Sequence, residues 1–320
     1  MKPLISDVHP ELQAGAAKTP QITFNAWTLW SIRFLTKLLP SPKVPGDIVI
    51  ENTFIPVPNS KKQMRLRIYR PKSITSPTPV LVWLHGGGYI IGTPEIGEAA
   101  CTEYVRELGI VAVSVDYRLA PDHPFPTSLE DSYAALKWVV SHAQQLGIDA
   151  TRIAIGGESA GSGLAAALVQ LAVDRQEIKP VFQLLVYPML DDRTTTRTDM
   201  ASKGYFAWNQ ASNHFGWKSY LGKNPGAVDL PAYAAPSRRA DLSGLPPAWI
   251  GVGTLDLFHD EDVAYAQRLK ECAVECELVV VPGAFHGFDL MAAEAPVVRD
   301  FRKSQIAALK RYLFPALQSV

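Results

Sequence analysis

Continuous apolar runs alternate along this chain with longer stretches whose apolar positions recur at helical spacing. The runs at 80–84, 110–115, 152–155, 181–187, 248–253 and 277–281 read as buried strands. Between them, 93–108, 127–146, 164–173, 261–272 and 295–313 read as helices; in the second, Leu129, Tyr133, Leu136, Trp138 and Val139 fall on one side. Two earlier runs, 48–57 and 64–69, flank Pro58-Asn59-Ser60 and predict an antiparallel hairpin. The alternation predicts an α/β fold: a mostly parallel sheet with helices on both faces. In such folds the chemistry gathers at the carboxyl ends of the strands.

Two segments break the pattern. Residues 22–39 place Phe24, Trp27, Trp30, Phe34, Leu35 and Leu38 at helical spacing and stop at Pro40, which predicts an amphipathic helix. Packing onto the core is the simpler reading of its apolar side; lying on a membrane surface is the weaker one, since Arg33 and Lys37 are its only basic residues. Residues 191–242 hold aromatic and proline clusters but no buried-strand run, and predict a mostly helical inserted lid packed on the N-terminal helix. Four segments follow: an N-terminal cap piece at 1–45, a core at 46–190, a cap insertion at 191–242 and a second core part at 243–320.

The candidate chemistry centres on Gly157-Glu158-Ser159-Ala160-Gly161, which joins an apolar run to an Ala/Leu-rich helix. This G-x-S-x-G pattern squeezes a serine into a sharp strand-to-helix turn, beside the amide end of the helix. A serine that merely caps a helix is the alternative. A hydroxyl nucleophile needs a base, and the base needs an orienting carboxylate. Of the seven histidines, His286 follows the last strand in a glycine-containing loop. Asp256 follows the preceding strand, and Asp260 is its rival. The order Ser159, Asp256, His286 is that of the α/β-hydrolase triad. His259 is a poor second base.

The developing oxyanion needs fixed amide donors. His85-Gly86-Gly87-Gly88 supplies a side-chain-free loop after the third strand, and Ala160 supplies the amide next to the nucleophile. A phosphate loop is disfavoured: no lysine follows at Walker spacing. Trp27, Trp30, Phe206, Trp208 and Trp217 are candidate pocket lining, and Tyr89 and Trp208 candidate substrate contacts, with plain core packing the alternative for each. Arg118, Asp122, Glu130 and Asp131 flank a loop with three prolines, at 121, 124 and 126, and are best read as ion pairs that fix it.

His85-Gly86-Gly87-Gly88-Tyr89, Tyr117-Arg118-Leu119-Ala120-Pro121, Gly157-Glu158-Ser159-Ala160-Gly161 and Phe285-His286-Gly287-Phe288, in this order, resemble the bacterial hormone-sensitive-lipase-like esterases. The resemblance runs from about residue 45 to the C-terminus. It implies an α/β-hydrolase fold on an eight-stranded sheet and a cap built from the N-terminus plus an insertion. It also implies a serine carboxylesterase acting on short- to medium-chain esters, with no cofactor, and a homodimer in many relatives. The chain departs from the family in having Glu158 where Asp is frequent, Asp122 where Glu is usual, and Leu257 where Pro follows the acid. An amidase or peptidase, or a lipase, would use the same triad. A non-catalytic receptor on this scaffold would have lost the histidine that stands here as His286.

Composition narrows the partners. Lysine plus arginine equals aspartate plus glutamate at 31 each and no long basic run appears, so a nucleic-acid partner has no electrostatic support. Cys101, Cys272 and Cys276 are too few for a disulfide framework and fit reduced thiols in the cytoplasm; the last two straddle a helix end and a strand start. No Cys/His cluster has zinc-site spacing, so no metal is expected. No apolar stretch is long enough for a membrane span, and the N-terminus does not read as a signal peptide.

Overall fold

A computed structural model describes residues 3–36, 46–58, 61–200 and 203–315. The expected end of the N-terminal helix, at 37–40, and the Asn59–Ser60 part of the hairpin turn lie outside them. Eight strands form one sheet: β1 (Ile48–Pro56), β2 (Gln63–Pro71), β3 (Thr78–Leu84), β4 (Val111–Val115), β5 (Ile148–Glu158), β6 (Phe182–Val186), β7 (Ala248–Gly253) and β8 (Cys276–Val281). Their spatial order is β1-β2-β4-β3-β5-β6-β7-β8. Only β2 runs against its neighbours; every other adjacent pair is parallel.

The α-helices are α1 (Gln13–Lys18), α2 (Ala26–Thr36), α3 (Glu98–Leu108), α4 (Thr127–Ser141), α5 (Ala143–Leu146), α6 (Ala160–Arg175), α7 (Gln210–Leu221), α8 (His259–Glu271), α9 (Phe288–Met291) and α10 (Pro296–Leu313). The continuous apolar runs are the central strands because both of their faces are covered. Val80, Val82 and Leu84 of β3 join one core with Leu129 of α4, Leu164 of α6 and Leu269 of α8. Leu81 and Trp83 join the opposite core with Tyr104 of α3 and Phe301 of α10. Edge strand β1 is less covered: between buried Ile48 and Ile55 its positions are intermediate or exposed. At about 25 cal/mol per Å², each fully buried Leu or Val contributes roughly 1.5–3 kcal/mol, so these two layers hold the sheet rigid.

The N-terminal segment divides. Residues before α2 dock on the far part of the chain: the His9 amide donates to the Gly283 carbonyl at 3.0 Å, and Val8, Leu12 and Ala16 join the α10-side core. From Ile22 onward the chain turns to the insertion. The Phe24 amide donates to Ser212 Oγ at 3.0 Å, and Asn209 Nδ2 donates to the Ile22 carbonyl at 3.3 Å. Helix α2 starts at Ala26, later than the apolar spacing suggests, because Asn25 caps it. Its Oδ1 accepts from the amides of Trp27 and Thr28 at 2.9 and 3.1 Å. Phe24 and Leu29 are buried, whereas Trp27 and Trp30 are 84% and 68% exposed. The apolar side of this helix is thus only partly packed. Among the described residues of 191–242, α7 is the one α-helix, with short 3-10 turns at Asp192–Thr196 and Pro236–Arg238. The described residues of this segment are therefore less helical than its composition suggests.

Candidate active site

Strand β5 ends at Glu158 and α6 begins at Ala160, so Ser159 alone makes the turn, at φ 56° and ψ −124°. That conformation is strained for a residue with a Cβ and survives because the surroundings over-determine it. The Ser159 amide donates to the Val186 carbonyl at 2.9 Å, and its carbonyl accepts from Gly163 and Met189 at 3.0 and 3.1 Å. Glycine is obligatory on both sides for want of space. A Cβ on Gly157 would sit 2.5 Å from the Leu84 carbonyl oxygen, and one on Gly161 would strike the carbonyls of Leu84 and His85.

Ser159 Oγ lies 2.8 Å from Nε2 of His286, and Nδ1 of His286 lies 2.8 Å from Oδ2 of Asp256. Asp256 is fully buried, and its other oxygen accepts from the Phe258 amide at 2.9 Å. A carboxylate on Nδ1 makes that nitrogen the proton carrier, which leaves Nε2 free to accept from the serine. The rings of Tyr187 and Phe258 stand edge-to-face with the imidazole at ring-centre distances of 4.9 and 5.1 Å and hold its plane. The structure thus brings together the three residues predicted as nucleophile, acid and base. The rival Asp260 is turned to other work, bonded to Arg197 at 2.9 Å, to His259 at 2.8 Å and to Lys203.

The glycine loop is held from below. Gly86 donates its amide to Glu158 Oε1 at 3.4 Å, so it is not free for a substrate oxygen as the sequence suggests. His85 Nδ1 lies 2.8 Å from the Gly86 carbonyl and must carry the proton, since that partner only accepts. Burial keeps the His85 ring neutral by lowering its affinity for a second proton. Tyr117 stacks on that ring at 4.3 Å and donates its hydroxyl to the His85 carbonyl at 2.7 Å. The Gly87 carbonyl accepts from the amides of Ile90 and Ile91, each at 3.0 Å. In a trans peptide the C=O and the following N–H point oppositely. Fixing the carbonyls of Gly86 and Gly87 therefore fixes the N–H groups of Gly87 and Gly88. Those two amides and that of Ala160 have no hydrogen-bond partner among the described residues.

Trp208 stands directly over this loop: a Cβ on Gly88, where φ is 61°, would collide with its indole. Tyr89, expected from the sequence to touch substrate, is committed inside the protein instead. Its ring stacks on Tyr220 at 4.0 Å and its hydroxyl donates to the Met189 carbonyl at 3.2 Å. Of the other aromatic candidates, Phe206 packs on Phe285, Trp217 is fully buried, and Trp27 faces solvent. Trp30 lines a largely apolar cavity of about 660 Å³ between α2 and α7, with Leu29, Phe34, Phe215 and Ser219. Two contacts near the cavity tie α2 and α7 to the segment that carries the glycine loop. Arg33 Nε donates to the Ile90 carbonyl at 2.8 Å, and Gly216 packs on the Gly88 carbonyl. Arg118, Asp122, Glu130 and Asp131 all stand in ion pairs, with Asp131 gripping Arg118 through both oxygens at 2.7 and 2.9 Å.

Sequence reasoning missed three contributors: Glu158 under Gly86, and Tyr187 and Phe258 beside His286. An acid inside an otherwise apolar and glycine strand end was the available signal for the first. The others are brought in by long-range packing that no local pattern reports.

A family profile described as the alpha/beta hydrolase fold matches residues 81–290. The carboxylesterase NlhH of Mycobacterium tuberculosis is 37% identical over 255 residues, 78% of each chain. An ethyl acetate hydrolase of Pseudomonas putida is 32% identical over 252 residues, again 78% of each. The solved structure of a bacterial heroin esterase superposes with a TM-score of 0.88 at 36% identity, covering 97% of this chain and 99% of that one. With its topology, its glycine loop and these likenesses, the chain belongs to the α/β-hydrolase family, in the hormone-sensitive-lipase-like group of carboxylic ester hydrolases.

Proposed function

We propose that the chain hydrolyses short- to medium-chain carboxylic esters through an acyl-enzyme on Ser159. The carrying observation is the contact of Ser159 Oγ with His286 Nε2 at 2.8 Å, with Asp256 behind the ring. Ser159 attacks the ester carbonyl while His286 takes its proton. Asp256 stabilises the imidazolium that forms, and the amides of Gly87, Gly88 and Ala160 hold the oxyanion. His286 then returns the proton to the leaving alkoxide, and water, activated by the same imidazole, releases the acid. The cavity beside α2 and α7 receives the longer arm of the ester; its apolar walls support this, as does the bond from Arg33 in its lining to the Ile90 carbonyl, two residues past the glycine loop.

The names of the related proteins, an ethyl acetate hydrolase and a heroin esterase, support a small acyl group. The cytoplasm is the proposed location, supported by three free cysteines. Among the described residues no helix is long and apolar enough to cross a membrane. A homodimer is part of the same reading, and sedimentation would test it.

The function is tested with p-nitrophenyl esters of increasing acyl length. Wild type is expected to prefer the shorter esters, and Ser159→Ala and His286→Ala each to lose at least about 10³-fold in kcat. Wild-type rates in both variants would sink the mechanism.

A further inference from the structure

Glu158 is the one acid in the nucleophile turn, and the mechanism above leaves it without a task. It is buried, yet it lies next to Ser159 in the chain and under Gly86 in space. Its bond to the Gly86 amide fixes the peptide that precedes the one carrying the Gly87 N–H. His85 Nδ1 fixes the next peptide through the Gly86 carbonyl. The two anchors grip consecutive peptides, so the aim of the free amides depends on both.

Its electrostatic surroundings are equally specific. Asp289 of α9 faces Glu158 and is buried as well. Arg302 of α10 is the cation felt by both acids; its Nη2 donates to the Asp289 backbone carbonyl at 3.1 Å and its Nη1 pairs with Glu103 at 3.4 Å. Tyr187 donates its hydroxyl to Asp289 Oδ1 at 2.8 Å. Cys101 and Tyr104 of α3 and Tyr117 after β4 complete the titratable groups around Glu158, and burial keeps all three uncharged. Two buried carboxyls with one shared, partly engaged cation do not both ionise. Asp289 has a hydroxyl donor at 2.8 Å that stabilises its charge, whereas the Gly86 amide, the donor on Glu158 among the described residues, stands at 3.4 Å and its pull towards the charged form is outweighed by burial. The proton therefore belongs on Glu158.

We propose that Glu158 is a positioning residue for the ester hydrolysis: in its uncharged form it anchors the Gly86 amide and so aims the Gly87 and Gly88 amides at the oxyanion. A charge on Glu158 would stand beside the forming oxyanion and oppose it. The imidazolium gains little in return, because Asp256 already balances it. Burial, and next to it Asp289, pushes the Glu158 carboxyl up to about 8, which puts this loss within reach of a pH profile.

The inference rests on the esterase reading. Its test is kcat and KM for p-nitrophenyl acetate from neutral to alkaline pH in wild type, Glu158→Gln and Glu158→Ala, with circular dichroism to verify folding. Glutamine keeps the acceptor for Gly86 and cannot ionise. Wild-type kcat is expected to fall above about pH 8, and Glu158→Gln to hold kcat within about threefold at neutral pH and to lack that fall. Alanine is expected to lower kcat by on the order of 10², as for a lost oxyanion donor, with KM changed only a few-fold. If Glu158→Ala does not fold, the pH profile of Glu158→Gln decides alone. Wild-type kcat in a folded Glu158→Ala, or an unchanged alkaline fall in Glu158→Gln, overturns the inference while Ser159-dependent hydrolysis stands. If wild type cleaves no ester, or Ser159→Ala cleaves as fast, the esterase reading falls and this inference with it.

Discussion

His286 reaches Asp256 and not Asp260: its Nδ1 is 2.8 Å from Asp256 Oδ2, while the Asp260 carboxylate is spent on Lys203, Arg197 and His259. The two acids lie close in sequence but face different partners, because Asp256 lies within the turn after β7 and Asp260 in the first turn of α8. Burial works against the Asp260 charge, but its cationic partners prevail and hold it well below the usual carboxylate range. Asp256→Asn is accordingly expected to lower kcat by about 10⁴-fold, since the imidazole would lose its fixed tautomer. Asp260→Asn is expected to leave kcat within about threefold, as for a partly exposed ion pair. Steady-state kinetics on the two variants with one ester checks this; a reversal would move the acid to Asp260.

Stability should depend on pH through Glu158, and the sign follows from proton counts. Its carboxyl is raised from 4.5 to about 8 in the fold, mainly by burial. Between those values the folded chain keeps a proton that the unfolded chain has released. The contribution is whole below about 4.5, falls as pH rises, and is lost above about 8. Glu158→Gln removes this dependence. Melting temperatures of variant and wild type should therefore diverge in the variant's favour as pH rises; a constant difference would contradict the assignment.

The cavity between α2 and α7 should set chain length. Ser219 lines it from α7, and Phe215 does so one turn earlier. Ser219→Phe fills part of the space. It should lower kcat/KM for octanoate esters by about 10-fold relative to acetate, in line with roughly 1–3 kcal/mol for the apolar contacts displaced. An unchanged ratio of octanoate to acetate would place the acyl chain elsewhere.

Most of the fold was legible because β3, β4, β6 and β7 are short apolar runs that only a doubly covered sheet accommodates. The triad was legible for a related reason: each member follows a strand, and strand ends of a parallel sheet converge. What stayed hidden depends on tertiary partners. Asn25 could have been read as the start of α2, since it is a capping residue type, but apolar spacing alone extends the helix back to Ile22. Tyr89 looks like a substrate contact beside three glycines. Its commitment to Met189 and Tyr220 follows from a chain path that no local pattern reports. Likewise, three glycines look equivalent as amide donors until Glu158 is seen to occupy the first.

The central claim is that Ser159 is the atom donor for the acyl-enzyme. Labelling with a p-nitrophenyl alkylphosphonate, followed by peptide mapping, tests it most directly. The phosphonate should release p-nitrophenol stoichiometrically, appear on Ser159 alone, and remove esterase activity in proportion to its incorporation. Full activity in a protein labelled at Ser159, or inactivation with the label on another residue, would contradict the account.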